Sequence, residues 1–158
     1  MRSIYSTPEA RIGSEGRLIV CRFVGDVDRS IFEMVKVLST ELQDPRGRAM
    51  FLVLSPETGI AGSTASGAVS QLLAQHGSRL LGGALTIEGN GFRAAAKRAL
   101  AMSVRTVAKK SYPSGTFPNV RDASLWLAEH IPEMSAQDIL DAYATLVHQA
   151  DLGLTASG

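Results

Sequence analysis

The chain has little cysteine, few aromatic residues and almost no net charge. Its one cysteine, Cys21, excludes an internal disulfide and is expected to be buried within the apolar run 18–24. A formal net charge of +1 gives no global field to attract nucleic acid or acidic lipid, so nucleic-acid binding is not expected. None of its apolar runs approaches the ~20 residues of a membrane-spanning helix. Residues 1–9 lack the apolar core of a signal peptide, so a cytoplasmic location is expected.

Clusters of metal-ligating residues are also lacking. The three histidines, His76, His130 and His148, fall near the ends of different predicted helices, without another histidine or cysteine at ligand spacing. We therefore expect neither a metal site nor a cofactor. Because a Ser–His–acid triad assembles from distant segments, spacing alone leaves open a hydrolase that uses Ser63. Ser63 nevertheless lacks the Gly-x-Ser-x-Gly context of a nucleophile elbow.

What the chain does contain is typical of an ordinary globular domain. Its 158 residues, of which 45% are apolar and 20% charged, are enough for one domain with a sizeable core. Strand and helix patterns alternate, which predicts parallel strand pairing. We predict an α/β fold: a single layered domain, residues 10–131, with a mixed, mostly parallel sheet of about five strands and helices packed on it. An extra C-terminal amphipathic helix and tail occupy residues 132–158.

Capping residues, prolines and glycines set the predicted boundaries. Ser30 with Glu33, and Ser135 with Asp138, have the spacing of capping boxes. In chain order we predict a hairpin of strands 10–12 and 17–24 with a turn at 13–16, a helix 30–42, a strand 50–54, a helix 67–80, a strand 84–87, a helix 92–110, a short strand 116–120, a helix capped by Asp122 and a last helix from Ser135.

The strand 50–54 and the loop after it are the most informative part of the chain. Its five consecutive apolar residues predict a strand buried on both sides of the sheet. Residues 55–67 then form a loop rich in Gly, Ser and Thr, and a helical pattern follows. Function in open α/β folds concentrates where the carboxyl ends of strands open into such loops. We therefore expect the working edge of the domain at loop 55–67.

Two other loops carry incomplete enzyme-like motifs. Asp26 and Asp28 match the Asp-x-Asp signature of haloacid-dehalogenase-like phosphatases, but no acidic pair follows to hold the metal ion. Gly89 and Gly91 form a Gly-x-Gly between a strand and a helix, but Ala94 stands near the place of the third glycine of a dinucleotide fingerprint. The simpler interpretation is that the aspartates favour a helix N-terminus and the glycines a tight turn.

The predicted helix 92–110 carries a basic stripe. Arg98, Arg105 and Lys109 fall within a narrow sector of it and form a possible contact face for phosphates or an acidic partner. Few aromatic residues accompany them, so stacking on nucleic-acid bases has little support. A solvated helix face is the simpler interpretation.

The order of these elements resembles that of the STAS-like domains, which are the anti-sigma-factor antagonists and their SpoIIAA-like relatives. The resemblance covers about residues 12–131 and rests on this order, on Phe23-Val24-Gly25, on the loop before Ser66-Gly67 and on the closing segment 117–127. It implies a cytoplasmic regulatory module rather than an enzyme. In the antagonists, a partner kinase phosphorylates a serine at the start of the helix that follows the central strand.

The chain departs from that family at the phosphorylation motif. The family pattern is Asp-Ser-x-Gly. When the glycine of this pattern is aligned with Gly67, the three preceding positions are Thr64, Ala65 and Ser66. The aspartate and the phosphoacceptor serine are therefore both missing. Ser63, Thr64 or Ser66 would have to substitute, which favours a divergent relative over a phosphorylation switch.

Three hypotheses follow from these patterns. The leading one is a non-catalytic domain that binds a protein partner, or a second copy of itself, through loop 55–67 and the helix after it, with Ser63, Thr64, Ser66 and Gly67 at the contact.

The alternative is a small-ligand or nucleotide-binding domain that uses the same loop, where Gly59, Gly62 and Gly67 allow close backbone approach. The third is a hydrolase that uses Asp26 or Ser63.

Overall fold

A computed structural model of the protein describes residues 1–25, 27–58, 62–89 and 112–156. These residues form a six-stranded sheet and four α-helices, which confirms the predicted α/β fold. The predicted helix 92–110, with Arg98, Arg105 and Lys109, lies outside the described residues. The strands are β1 (Arg2–Ser6), β2 (Ala10–Glu15), β3 (Leu18–Phe23), β4 (Arg48–Leu54), β5 (Leu80–Ile87) and β6 (Ser114–Phe117); the helices are α1 (Val27–Glu41), α2 (Ser63–His76), α3 (Val120–Ala128) and α4 (Ala136–Ala156).

The strands lie in the sheet in the same order as in the chain. β1, β2 and β3 pair antiparallel, whereas β3, β4, β5 and β6 pair parallel. The carboxyl ends of β3 to β6 therefore meet at one edge of the sheet, which we call the carboxyl edge. Loop 55–67 leaves β4 at that edge, as the sequence predicts.

Alternating residues of the central strands fill two cores. Along β3, Ile19, Cys21 and Phe23 pack against α1 and α2. Leu18 and Val20 point to the other face and pack against α3 and α4. This period of two explains why β3 and β4 consist of nearly continuous apolar residues.

The sheet has one strand more than expected, because residues 2–6 form β1. Four of its five residues are exposed, so the segment has no apolar alternation that would predict a strand. It pairs with β2 and adds an outer strand to the antiparallel side of the sheet.

Three predicted helix starts were wrong. The capping box of Ser30 and Glu33 does not begin the first helix: α1 begins at Val27, and Ser30 is buried inside it. α2 begins at Ser63 rather than at residue 67. Asn119, not Asp122, caps α3, because its side-chain oxygen accepts a hydrogen bond from the Asp122 backbone N–H at 2.8 Å.

The glycine pair 82–83, which follows the predicted helix 67–80, lies within β5. A Cβ at Gly82 would stand 3.3 Å from the His130 Cβ, and one at Gly83 would stand 3.1 Å from the ring of Tyr112. The two glycines thus allow side chains to pack closely on both faces of β5.

The C-terminal helix α4 packs on the sheet of its own chain. Ile139, Ala142 and Leu146 are buried in the same core as the inner residues of β3 and β4. The predicted capping box at its start is confirmed, since the Asp138 backbone N–H donates to Ser135 Oγ at 3.1 Å and the Ser135 N–H donates to Asp138 Oδ2 at 2.8 Å. The backbone N–H and the hydroxyl of Ser135, which both donate to the Asp138 carboxylate, hold the pKa of Asp138 below its usual value.

Candidate functional site

Ser55 and Thr58, at the start of loop 55–67, link the carboxyl ends of β3 and β4 through hydrogen bonds. The backbone N–H of Ser55 and the hydroxyl of Thr58 both donate to the Phe23 carbonyl, at 2.9 and 3.1 Å. The Ser55 hydroxyl also donates to Glu57 Oε2 at 2.9 Å. Ser55 is 4% exposed and Thr58 is fully buried. Both residues therefore stabilise the carboxyl edge from inside and are not contact residues.

The N-termini of α1 and α2 lie next to each other at this edge. Asp28, in the first turn of α1, accepts a hydrogen bond from the backbone N–H of Gly62 at 2.9 Å. Gly62 is the N-cap of α2 and has no side chain to cap the helix itself, so Asp28 caps it from the neighbouring helix. This agrees with a structural role for Asp28. Asp26, the other aspartate of the phosphatase-like motif, lies outside the described residues.

Ser63, Thr64, Ser66 and Gly67 occupy the first two turns of α2 rather than a loop, and all four are exposed. The structure thus brings the predicted contact residues together on one helix. Ala65, at the position that matches the family's phosphoacceptor, is 1% exposed and packs into the core. A side chain at position 65 is therefore inaccessible to a kinase in the folded protein.

His76 and His130 give the hydrolase hypothesis no partner for Ser63. His76 ends the helix that Ser63 begins, about 20 Å away along its axis. His130 packs against Trp126, with ring centroids 4.1 Å apart, beside the α3 side of the sheet. His148 is exposed on α4. Within the ranges that the structure describes, no group of three or more His, Cys, Asp or Glu residues could hold a metal ion.

The most distinctive property of α2 is one that the sequence patterns above do not capture. No Asp, Glu, Lys or Arg occurs between Glu57 and Arg79. Of the whole of α2, only Ala65 and Leu72 are buried. An exposed helix ordinarily carries many charged side chains. The uncharged run 58–78 is therefore the sequence signal that could have indicated the unusual surface of α2. The exposed side chains of α2, which we call the neutral face, are Ser63, Thr64, Ser66, Gly67, Ser70, Gln71, Ala74 and Gln75.

Gly67 is an exposed helical position where a side chain meets no obstacle. A Cβ added there has no neighbour within 4 Å. We expect Gly67→Ala to raise the free energy of unfolding by about 0.5–1 kcal/mol, because alanine loses less backbone entropy in a helix. Urea denaturation of the two proteins measures the difference. A destabilised variant would contradict the position of Gly67 on the open side of α2.

An open cleft lies at the opposite edge of the sheet, between the β2–β3 turn and the start of α4. It is lined mostly by charged side chains, and its Arg17 and Glu133 form an ion pair at 2.9 Å. This cleft is far from loop 55–67, so it does not support the alternative that a small ligand binds at that loop. In the described ranges, no helix combines the length and the apolar character needed to cross a membrane.

Comparison with known proteins identifies the fold. No family model and no curated protein matches the chain. Among solved structures, it is similar to an uncharacterised protein of the DUF3478 family from Shewanella loihica PV-4, which has a SpoIIAA-like fold. The two share 16% sequence identity with a TM-score of 0.55, over 78% of this chain and 98% of the other. The low identity makes this a likeness of fold between divergent sequences. The chain has a SpoIIAA-like fold.

Proposed function

We propose that the protein is a non-catalytic, cytoplasmic regulatory domain that binds a protein partner through loop 55–67 and the neutral face of α2. The observation that carries this proposal is an exposed helix without a charged side chain, in a chain of which 20% is charged. The buried centres of protein–protein interfaces are depleted in charged residues. The absence of charge along α2 therefore supports a docking role for this face.

The composition of the neutral face favours close docking. Ser63, Ser66, Gly67, Ser70 and Ala74 are small, so a partner's backbone or a large side chain can approach the helix. Small side chains also lose little rotamer entropy when an interface immobilises them. The partner must supply hydrogen bonds to the serine hydroxyls, since a buried hydroxyl without one is costly.

The helix that presents this face is held in place from beneath. Ala65 and Leu72 anchor it in the core with α1, and Asp28 fixes its first turn through Gly62. A surface that is already ordered loses less entropy on binding than a mobile one. The partner is another protein or a second copy of this chain.

Site-specific photocrosslinking tests the proposal. A photoreactive benzoylphenylalanine replaces Ser70 on the neutral face, and in a matched variant it replaces Ala144, which is exposed on α4 across the sheet. We expect one discrete crosslinked protein from position 70 that does not form from position 144. A crosslink to the chain itself would identify a dimer. Equal labelling from the two positions, or labelling from position 144 alone, would contradict the proposed docking face.

A further inference from the structure

A buried arginine and a partly exposed one lie side by side beneath α4. Arg11 on β2 and Arg22 on β3 are directly opposite in the antiparallel register, so both side chains project from the same face of the sheet, about 5 Å apart at Cβ. Arg11 is 9% exposed, and the side chain of Arg22 is 21% exposed. A guanidinium group is costly to bury unless an anionic group pairs with it.

The described residues only partly satisfy this pair. Arg22 forms an ion pair with Glu88 at 3.4 Å, while its Nε is buried without a hydrogen-bond partner in the described ranges. Arg11 donates to the Val147 backbone carbonyl at 3.3 Å, which uses one of its five N–H donors. The Tyr143 hydroxyl donates to the other oxygen of Glu88 at 2.5 Å. Glu88 thus pairs with Arg22, and Arg11 has no carboxylate partner within 4 Å among the described residues.

Among the described residues, no carboxylate other than Glu88 forms an ion pair with Arg11 or Arg22. Glu9, two residues before Arg11, is exposed and forms no ion pair within 4 Å with the described residues. No Asp or Glu occurs in the sequence between Glu88 and Asp122, a stretch that carries several lysines and arginines. The charge of Arg11 is therefore uncompensated among the described residues.

We propose that Arg11, Arg22 and Tyr143 form a binding site for a small oxyanion, the phosphate or carboxylate group of a ligand. The guanidinium fork matches the geometry of both groups. Glu88 competes with the oxyanion for Arg22. The side chains of Arg22 and Glu88 are 21% and 28% exposed, which gives access from solvent. The site lies at the carboxyl edge, on the face opposite the neutral face, and stands independently of the proposed docking function.

The protonation of Tyr143 suits this role. Burial raises its pKa to about 12, with a further contribution from the adjacent Glu88 carboxylate that Arg22 opposes. The hydroxyl therefore stays protonated at neutral pH, and the one proton that it donates to Glu88 is available to the oxyanion once that ligand displaces the carboxylate.

The test is thermal unfolding and titration calorimetry at pH 7 with potassium phosphate, potassium acetate and, as the reference, potassium chloride at matched ionic strength. We expect a saturable stabilisation by phosphate or acetate that chloride does not give. A response to phosphate alone assigns a phosphate-bearing ligand, and a response to acetate assigns a carboxylate.

Three variants give the test its specificity. Glu88→Gln removes the competing carboxylate and should tighten oxyanion binding several-fold. Arg22→Met should weaken it by about tenfold or more, the scale of one lost charge-assisted hydrogen bond. Arg46→Met removes an exposed arginine that pairs with Asp44 at the opposite edge, and should leave binding unchanged.

The proposal is overturned if neither oxyanion gives a saturable effect with the wild-type protein, or if Arg46→Met loses binding as Arg22→Met does. Should Arg22→Met fail to fold, Glu88→Gln decides between the outcomes. Tighter binding by Glu88→Gln supports the site, and unchanged or weaker binding overturns it.

Discussion

Phe51→Ala is expected to lower the free energy of unfolding by about 3–5 kcal/mol. Phe51 is fully buried in the middle of β4, between Val20 on β3 and Ala84 on β5. Its ring lies 6.0 Å from the ring of Tyr143 on α4, centroid to centroid. Truncation leaves a cavity beneath the C-terminal helix, because a close-packed core collapses only partly around a lost ring.

Equilibrium urea denaturation measures this loss, and two variants control it. Phe51→Leu keeps most of the volume and should cost much less. Phe32→Ala removes a phenylalanine that is 39% exposed on α1, so its effect should be small. If Phe51→Ala were as mild as Phe32→Ala, α4 would not pack on this face of the sheet.

The thiol of Cys21 is expected to react about a thousandfold more slowly in the native protein than an ordinary exposed thiol. Cys21 is fully buried on β3, and burial raises its pKa from 9.0 to about 12. Each unit of that rise lowers the thiolate fraction about tenfold at pH 8, and the thiolate is the reactive form. Steric exclusion of the reagent slows the reaction further, so modification has to wait for opening of the fold.

A disulfide reagent that reports thiol release at pH 8 measures this rate with and without guanidinium chloride. Since Cys21 is the one cysteine in the chain, the whole signal comes from a single site. In denaturant the reaction should be complete almost at once. A native rate within tenfold of the denatured rate would show that β3 is open to solvent, contrary to the structure.

The fold class was predictable because it depends on patterns that are local in sequence. The apolar run of β4 and the alternation of strands with helices indicate a buried parallel sheet whatever the exact boundaries. β1 was not predictable by the same means. Its five residues gain their strand conformation from pairing with β2, and their burial is too slight to leave an apolar pattern.

The Arg11–Arg22 pair depends on strand register, which the sequence did not specify closely enough. A turn at residues 13–16 would pair residue 12 with residue 17 and thus place Arg11 opposite Leu18. The strands instead extend to Glu15 and Leu18 around a two-residue turn, in which Gly16 has a φ of 55°. Glycine tolerates this left-handed conformation, which short hairpin turns require. This difference in strand register decides whether Arg11 lies opposite Arg22 or opposite Leu18.

The predicted contact residues lie on a helix, whereas the sequence pattern indicated a loop. The glycine at position 67 suggested a loop that continues to the start of the helix. The helix begins at Ser63 instead, because Asp28 of α1 supplies the missing cap. A cap from a distant segment leaves no mark in the local sequence. The exposure of the neutral face likewise becomes visible only with the tertiary structure.

The affinity of Gly67→Arg for the partner identified by crosslinking is the most direct measurement of the proposed docking function. The variant places a long charged side chain at the centre of the neutral face, where it meets no obstacle within the protein. Ala144→Arg is the matched control on α4. We predict that Gly67→Arg folds with unreduced thermal stability and binds the partner at least about tenfold more weakly, whereas Ala144→Arg binds as the wild type does. Unchanged affinity of a folded Gly67→Arg variant would contradict the assignment of α2 as the docking face.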